Sequence, residues 1–235
     1  MRKNVYTQVM VSNNYEPIFS QVIPDKTPGK GPQVVMVVST HRTVVRVAKL
    51  TKADKRLTPA IQWQLVQENF PIGPLFNGDT HIFDGSVFTN DVKQQSFIMV
   101  AIPKKFSESI ATAAIENWGS AHRLERLDTI EHVLFRHYTK QFSKESMWIV
   151  FPQDNGFRIL HLKNGLPENA YNISNHPDMR EIELKRIMEA SKLTKIITLC
   201  GDVDKANSRW LKEFIQSYEM IETVDDMFHE ISHYM

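Results

Sequence analysis

What most constrains this chain is the way short β-branched runs alternate with helix-start and helix-stop signals along its length. Val5 to Val11, Pro17 to Ile23, Val34 to Val38 and Thr43 to Leu50 read as strands, since branched side chains suit a pleated, half-buried surface. Pro24 to Pro32, with Gly29 and Gly31, reads as a loop. Thr58 followed by Pro59 starts a helix: the hydroxyl accepts an orphan amide hydrogen and proline is preset for the first turn. That helix runs to Asn69, turns Ile61, Leu65 and Trp63 toward a core, and stops before Pro71, Gly73 and Pro74.

A loop is expected around Gly78 and Gly85, then an apolar strand from Phe97 to Ile102 closed by Pro103. Ser107 caps a second helix carrying Ile110, Ala114 and Trp118, and Gly119 ends it. A third helix spans Asp128 to Tyr138, with Ile130, Val133, Leu134 and His137 on one side. Met147 to Phe151 and Phe157 to Leu162 pair around the turn Gln153 to Gly156. Asp178 caps a helix ending at Ala190, Leu193 to Leu199 is a buried strand, and a last helix spans Asn207 to Ser217. The sequence shows no internal repeat or low-complexity tract, and the pattern is that of an α/β protein.

Composition narrows the function. The 235 residues carry 28 basic and 27 acidic side chains, a net charge of +1, so no global field favours nucleic acid or anionic lipid. One cysteine, Cys200, excludes an internal disulfide and a cysteine-only zinc site, and its aliphatic neighbours predict a buried, inert thiol. No run reaches the roughly 18 apolar residues that span a bilayer.

Several motifs invite chemistry and are better explained without it. His229, Glu230 and His233 spell H-E-x-x-H, but a zinc site of that kind takes a third ligand downstream, where only Tyr234 and Met235 remain. Gly29, Lys30 and Gly31 lack phosphate-loop spacing, and their flanking prolines remove amides that a phosphate would need. The basic stretch from His122 to His137, with Arg123, Arg126 and Arg136, is interrupted by Glu125, Asp128 and Glu131 and reads as a solvated helix face with local ion pairs. The four tryptophans, Trp63, Trp118, Trp148 and Trp210, fall in periodic elements and are expected as core or interface anchors.

The order of these segments resembles the PilM, GspL and BfpC family of actin-like components of type IV pilus and type II secretion inner-membrane platforms. The resemblance lies in Val34 to Leu50 with Arg46, the helix from Pro59 to Phe70 with Pro71 and Ile72, and the strand-helix unit from Ile98 to Trp118. It extends through a crossing helix, Leu124 to Tyr138, the hairpin Met147 to Leu162 with Gly165, and Ile196 to Gly201. It implies an actin-like, ribonuclease H-like fold with two lobes: residues 1–124, holding a small inserted α+β subdomain at about 34–119, and residues 125–235.

Members of this fold that hold nucleotide grip phosphates with two D-x-G hairpins, whose glycines let amides approach and whose carboxylates hold the metal. Here the first turn offers Ser12, Asn13 and Asn14, the second keeps Asp154 and Gly156 behind Pro152, and the adenosine glycines shrink to Gly201 followed by Asp202. Asp154, Gly156 and Gly201 are therefore expected as vestigial nucleotide-loop positions, with no cofactor, no metal and no catalytic residue. The resemblance implies a non-enzymatic scaffold on the cytoplasmic side of a bacterial inner membrane. Its expected partners are the assembly ATPase and platform proteins, without nucleic acid, and it leaves room for a homodimer. It also implies a transmembrane segment following Met235. The alternatives are a PilM-type ATP-binding switch and an unrelated α/β enzyme; partner-contact residues are not assigned.

Overall fold

The computed structural model describes residues 5–11, 17–19, 33–39, 42–50, 58–70, 76–90, 93–118, 123–142, 144–153, 156–174, 176–191, 195–199 and 221–224. The first sheet holds β1 (Val5–Val11), β2 (Pro17–Phe19), β3 (Gln33–Ser39) and β7 (Arg123–Thr129), in the order β2-β1-β3-β7. β1 and β2 form an antiparallel hairpin, whereas β3 and β7 run parallel to β1. Between β3 and β7 the chain builds a separate antiparallel sheet, β4-β6-β5, from β4 (Val44–Leu50), β5 (His81–Thr89) and β6 (Gln95–Pro103). Helix α1 (Pro59–Asn69) joins β4 to β5, and α2 (Lys104–Trp118) follows β6.

After β7 comes α3 (Ile130–Gln141), then a five-stranded sheet in the order β10-β9-β8-β11-β12. Its strands are β8 (Met147–Gln153), β9 (Gly156–Lys163), β10 (Leu166–Ser174), β11 (Lys195–Leu199) and β12 (Ile221–Val224), with α4 (Pro177–Ala190) leading into β11. β8, β9 and β10 are antiparallel, and β11 and β12 run parallel to β8. Both larger sheets thus open with a hairpin and continue with parallel strands. This topological repeat has no trace in the sequence.

Among the described residues, side-chain alternation distributes the strands of the two later sheets among three apolar clusters. On β6, Ile98 and Val100 face one way and Phe97, Met99 and Ala101 the other, where Val66 of α1 and Phe70, which caps that helix, cover them. On β8, Trp148 and Val150 join Leu184 and Ile187 of α4, while Met147, Ile149 and Phe151 point oppositely. A strand buried on both faces must be apolar throughout, which is why both runs are continuous. The central core joins Val45, Phe88, Ile98 and Val100 of the small sheet to α3 and to Leu160 and Leu162 of β9. The inserted sheet is therefore welded onto the second by apolar packing.

Several expectations need correction. Residues 124 to 129 do not open the crossing helix; they form β7, and the helix begins at Ile130 with Thr129 Oγ1 accepting from the His132 amide at 3.4 Å. The expected helical face of Ile130, Val133, Leu134 and His137 is buried as a group. Ser107 lies inside α2, which starts directly after Pro103, because proline's fixed φ serves a first helical turn as readily as a strand end. Asp178 stands in the first turn of α4. Trp63 is 49% exposed and touches Phe83 edge-to-face instead of entering the core. The helix expected at 207–217 lies outside the described residues, as do Cys200, the side chains of Trp118 and Trp210, and His229 to His233.

Gly85 sits within β5, not in a loop. A β-carbon there would lie 2.2 Å from Phe97 Cζ, and Phe97 is itself fully buried, so the ring lies over the bare backbone in place of a side chain. Gly85→Ala should therefore destabilise the protein by about 1–3 kcal/mol through overpacking, read from the urea midpoint. An unchanged midpoint would mean that the ring does not rest on the glycine.

Candidate functional site

The two hairpins emerge at the carboxyl ends of β1 and β8, the edge of an α/β sheet where ligands are commonly bound. The first turn, with Ser12 to Asn14, lies outside the described residues, and so do Asp154 and Gly201. The second hairpin is defined by the register pair Gln153↔Gly156. Gly156 has φ 149°, a backbone conformation that side-chain-bearing residues rarely adopt, so this turn keeps its glycine for a backbone reason.

Directly behind that turn stands Arg158 on β9, only 2% exposed. An apolar strand places it there: FRILHLK is buried from Phe157 to Leu162, and the pleat points Arg158 away from Phe157 and Ile159. Its Nη2 donates to the Thr43 carbonyl at 2.9 Å and to Gln153 Oε1 at 3.3 Å. The same nitrogen lies 3.5 Å from Glu131 Oε1. Glu131 is wholly buried in the first turn of α3, where a carboxylate also meets the positive end of the helix. One guanidinium therefore ties together the start of β4, the head of α3 and the second hairpin.

The electrostatics follow from dryness. Burial pushes the Glu131 carboxyl above the usual carboxylate range, while the Arg158 charge pulls against it. Burial also lowers Arg158, opposed by Glu131, with Arg46 adding repulsion. A guanidinium nevertheless stays protonated in proteins, so the positive charge persists and needs its acceptors. Arg46, singled out in the sequence, is an exposed side chain whose Nη1 donates to the Val45 carbonyl at 3.2 Å.

A second polar group lies farther along α3. Arg136 donates to Asp128 Oδ2 at 3.2 Å and approaches Ser86 Oγ at 3.4 Å, while His132 and His137 are buried. The stretch from His122 to His137 is therefore not the solvated helix face expected: its described residues are divided between β7 and α3, Asp128, Glu131, His132 and His137 are buried, and the expected ion pairing is present in Arg136 with Asp128. Sequence reasoning missed Glu131 and Arg158. The available signal was a charge within an apolar run on each of two elements, since such charges are almost never fully buried unless paired. Among the described residues, no group of three or more histidine, cysteine, aspartate or glutamate side chains is placed to hold a metal, and no helix is long and apolar enough to cross a membrane.

This arrangement is that of the actin-like fold. A Bacteroides thetaiotaomicron protein of actin-like ATPase fold and unknown function matches with a TM-score of 0.58 at 10% identity, over 98% of this chain and 96% of that one. The PilM–PilN type IV pilus biogenesis complex matches with a TM-score of 0.50 at 12% identity, over 97% and 93%. The cytoplasmic domain of EpsL, an inner-membrane component of the type II secretion system of Vibrio cholerae, gives 0.50 at 8%, over 97% and 93%. No protein-family profile and no curated protein matches the sequence. At such identities the likeness establishes the fold.

Proposed function

We propose that this actin-like chain is a scaffold domain of a type IV pilus or type II secretion inner-membrane platform, working through its surfaces on the cytoplasmic side of the membrane. Its partners on this reading are the assembly ATPase and neighbouring platform proteins. The observation that carries it is Arg158: this cation on the second hairpin is engaged with Glu131, Thr43 and Gln153 and is sealed from solvent. An arginine serving phosphate would face the cleft with its donors available; this one would have to abandon a buried carboxylate to do so. Structural likeness to the PilM–PilN complex and to the EpsL domain supports the setting.

A nucleotide-binding switch is the second reading, favoured by the positive φ retained at Gly156. Melting with magnesium ATP separates the two. A ligand at 100 times its dissociation constant stabilises by about 2.7 kcal/mol, which for a chain of this size raises Tm by roughly 5–10 °C. The scaffold reading expects a shift below about 1 °C at millimolar magnesium ATP, together with a stoichiometric complex with the assembly ATPase of the same bacterium in sedimentation. A rise of several degrees would favour the switch, and absence of any complex with the ATPase or the platform proteins would remove the scaffold.

A further inference from the structure

β5 ends the three-stranded sheet, and among the described residues no strand pairs with its outer edge. The Asn90 amide donates to the Gln94 carbonyl at 3.2 Å. In the unbroken register from His81↔Pro103 to Thr89↔Gln95, this directs the backbone groups of Ile82, Asp84, Ser86 and Phe88 toward β6. Those of Phe83, Gly85 and Val87 therefore point outward. Exposed edges are normally blunted by lysine, proline or a bulge. This nine-residue edge has none of them. Its one carboxylate, Asp84, accepts from the Gly85 amide at 2.8 Å, and Ile82 and Val87 are each 42% exposed on opposite faces.

We propose that β5 pairs antiparallel with β5 of a second copy of this chain, about a twofold axis at Gly85. The reason for choosing a second copy is that the edge is complementary to itself in this register. Gly85 meets Gly85, and Phe83 meets Val87, as hydrogen-bonded pairs with all outward groups satisfied. On the other face Ile82 meets Phe88, and Asp84 meets Ser86. Exposed Val87 is thereby matched with half-buried Phe83, while Ile82 is set beside the buried ring of Phe88. Arg136, whose side chain is 38% exposed, lies 3.4 Å from Ser86 Oγ through its Nη2. The Asp84 carboxylate of one copy thus leaves its own Gly85 amide and faces the Arg136 guanidinium of the other.

Neighbouring registers are worse. An axis at Asp84 sets two carboxylates directly opposite, and one at Ser86 sets Asp84 against Phe88. The other edge of the small sheet that no described strand pairs with, β4, is a poorer candidate because its Lys49 is engaged with Glu168 of β10 at 2.7 Å.

Sedimentation equilibrium of the whole chain between about 1 and 100 µM reads the outcome, since edge pairing is concentration-dependent. The expected result is a reversible approach to twice the monomer mass of 27.2 kDa. Val87→Lys and Ile82→Lys, at exposed positions on opposite faces, should each weaken dimerisation by at least about tenfold with the melting temperature kept. Ile182→Lys, on the exposed face of α4, should leave it intact. A chain monomeric throughout, a dimer that survives both β5 variants, or one lost equally in Ile182→Lys overturns the proposal.

Discussion

Replacing Glu131 by alanine should lower the unfolding free energy by about 3–5 kcal/mol. The carboxylate is fully buried beside Arg158, which is 2% exposed. Removing it deletes the anion and leaves a guanidinium that cannot shed its proton in a site closed to water. The remaining acceptors, the Thr43 carbonyl and Gln153 Oε1, are neutral dipoles and cannot replace a full charge. At about 2–4 °C per kcal/mol for a chain of this length, the melting temperature should fall by roughly 10 °C.

The double variant Glu131→Leu with Arg158→Met should recover most of that loss, because a buried pair returns little beyond the cost of drying it. Urea unfolding of the wild type, both single variants and the double variant supplies the complete cycle. Equal, small effects of about 0.5 kcal/mol throughout would place the two charges in water and remove the basis for regarding Arg158 as sealed.

Mild acid should also unfold the protein through His132. Burial holds its imidazole down at about 4, from an ordinary 6.5. Arg136 pushes it the same way, against the opposing charges of Asp84 and Asp128 and a hydrogen bond with the Ile98 backbone. Between these pKa values the unfolded chain binds the proton and the folded chain refuses it. The stabilisation is therefore complete above pH 6.5 and is lost as the pH falls toward 4, by about 3 kcal/mol in all at 1.36 kcal/mol per unit.

Glu131 works in the opposite sense, because a raised carboxyl favours the folded state at low pH and loses that contribution as the pH rises. The His132 effect is accordingly read as the difference between the wild type and His132→Gln across pH 4 to 7 in urea titrations. The variant should show the flatter profile. Parallel profiles would mean that the imidazole takes its proton in the folded state.

Where one local signal dominated, the sequence was easy to read. Thr58-Pro59 marked the start of α1, and Pro71 marked its end near Asn69. The β8–β9 hairpin was legible because two apolar runs flank a short polar turn. β7 was not, because Leu124 and Leu127, three residues apart among Arg123, Glu125, Arg126 and Asp128, satisfy a helical pattern. Only parallel pairing with β3, from Val34↔Leu124 to Val38↔Thr129, makes it a strand. β10 escaped notice for a related reason: Pro167, Glu168, Asn169 and Asn172 look like a loop, yet an edge strand tolerates polar residues, and a register shift between Pro167 and Asn169 accommodates the proline.

By itself the sequence determined where the apolar runs and their breaks fall, and hence an α/β chain with a hairpin at Gln153 to Gly156, because periodicity and turn chemistry act within a few residues. Tertiary structure alone decided that Glu131, Arg158, Thr43 and Gln153 meet, that Gly85 lies beneath Phe97, and that no strand among the described residues pairs with the outer edge of β5. Those outcomes depend on which faces are brought together across separations of up to 115 residues. Burial, which converts an ordinary charge into one that needs its partner, belongs to the assembled packing and not to any stretch of chain.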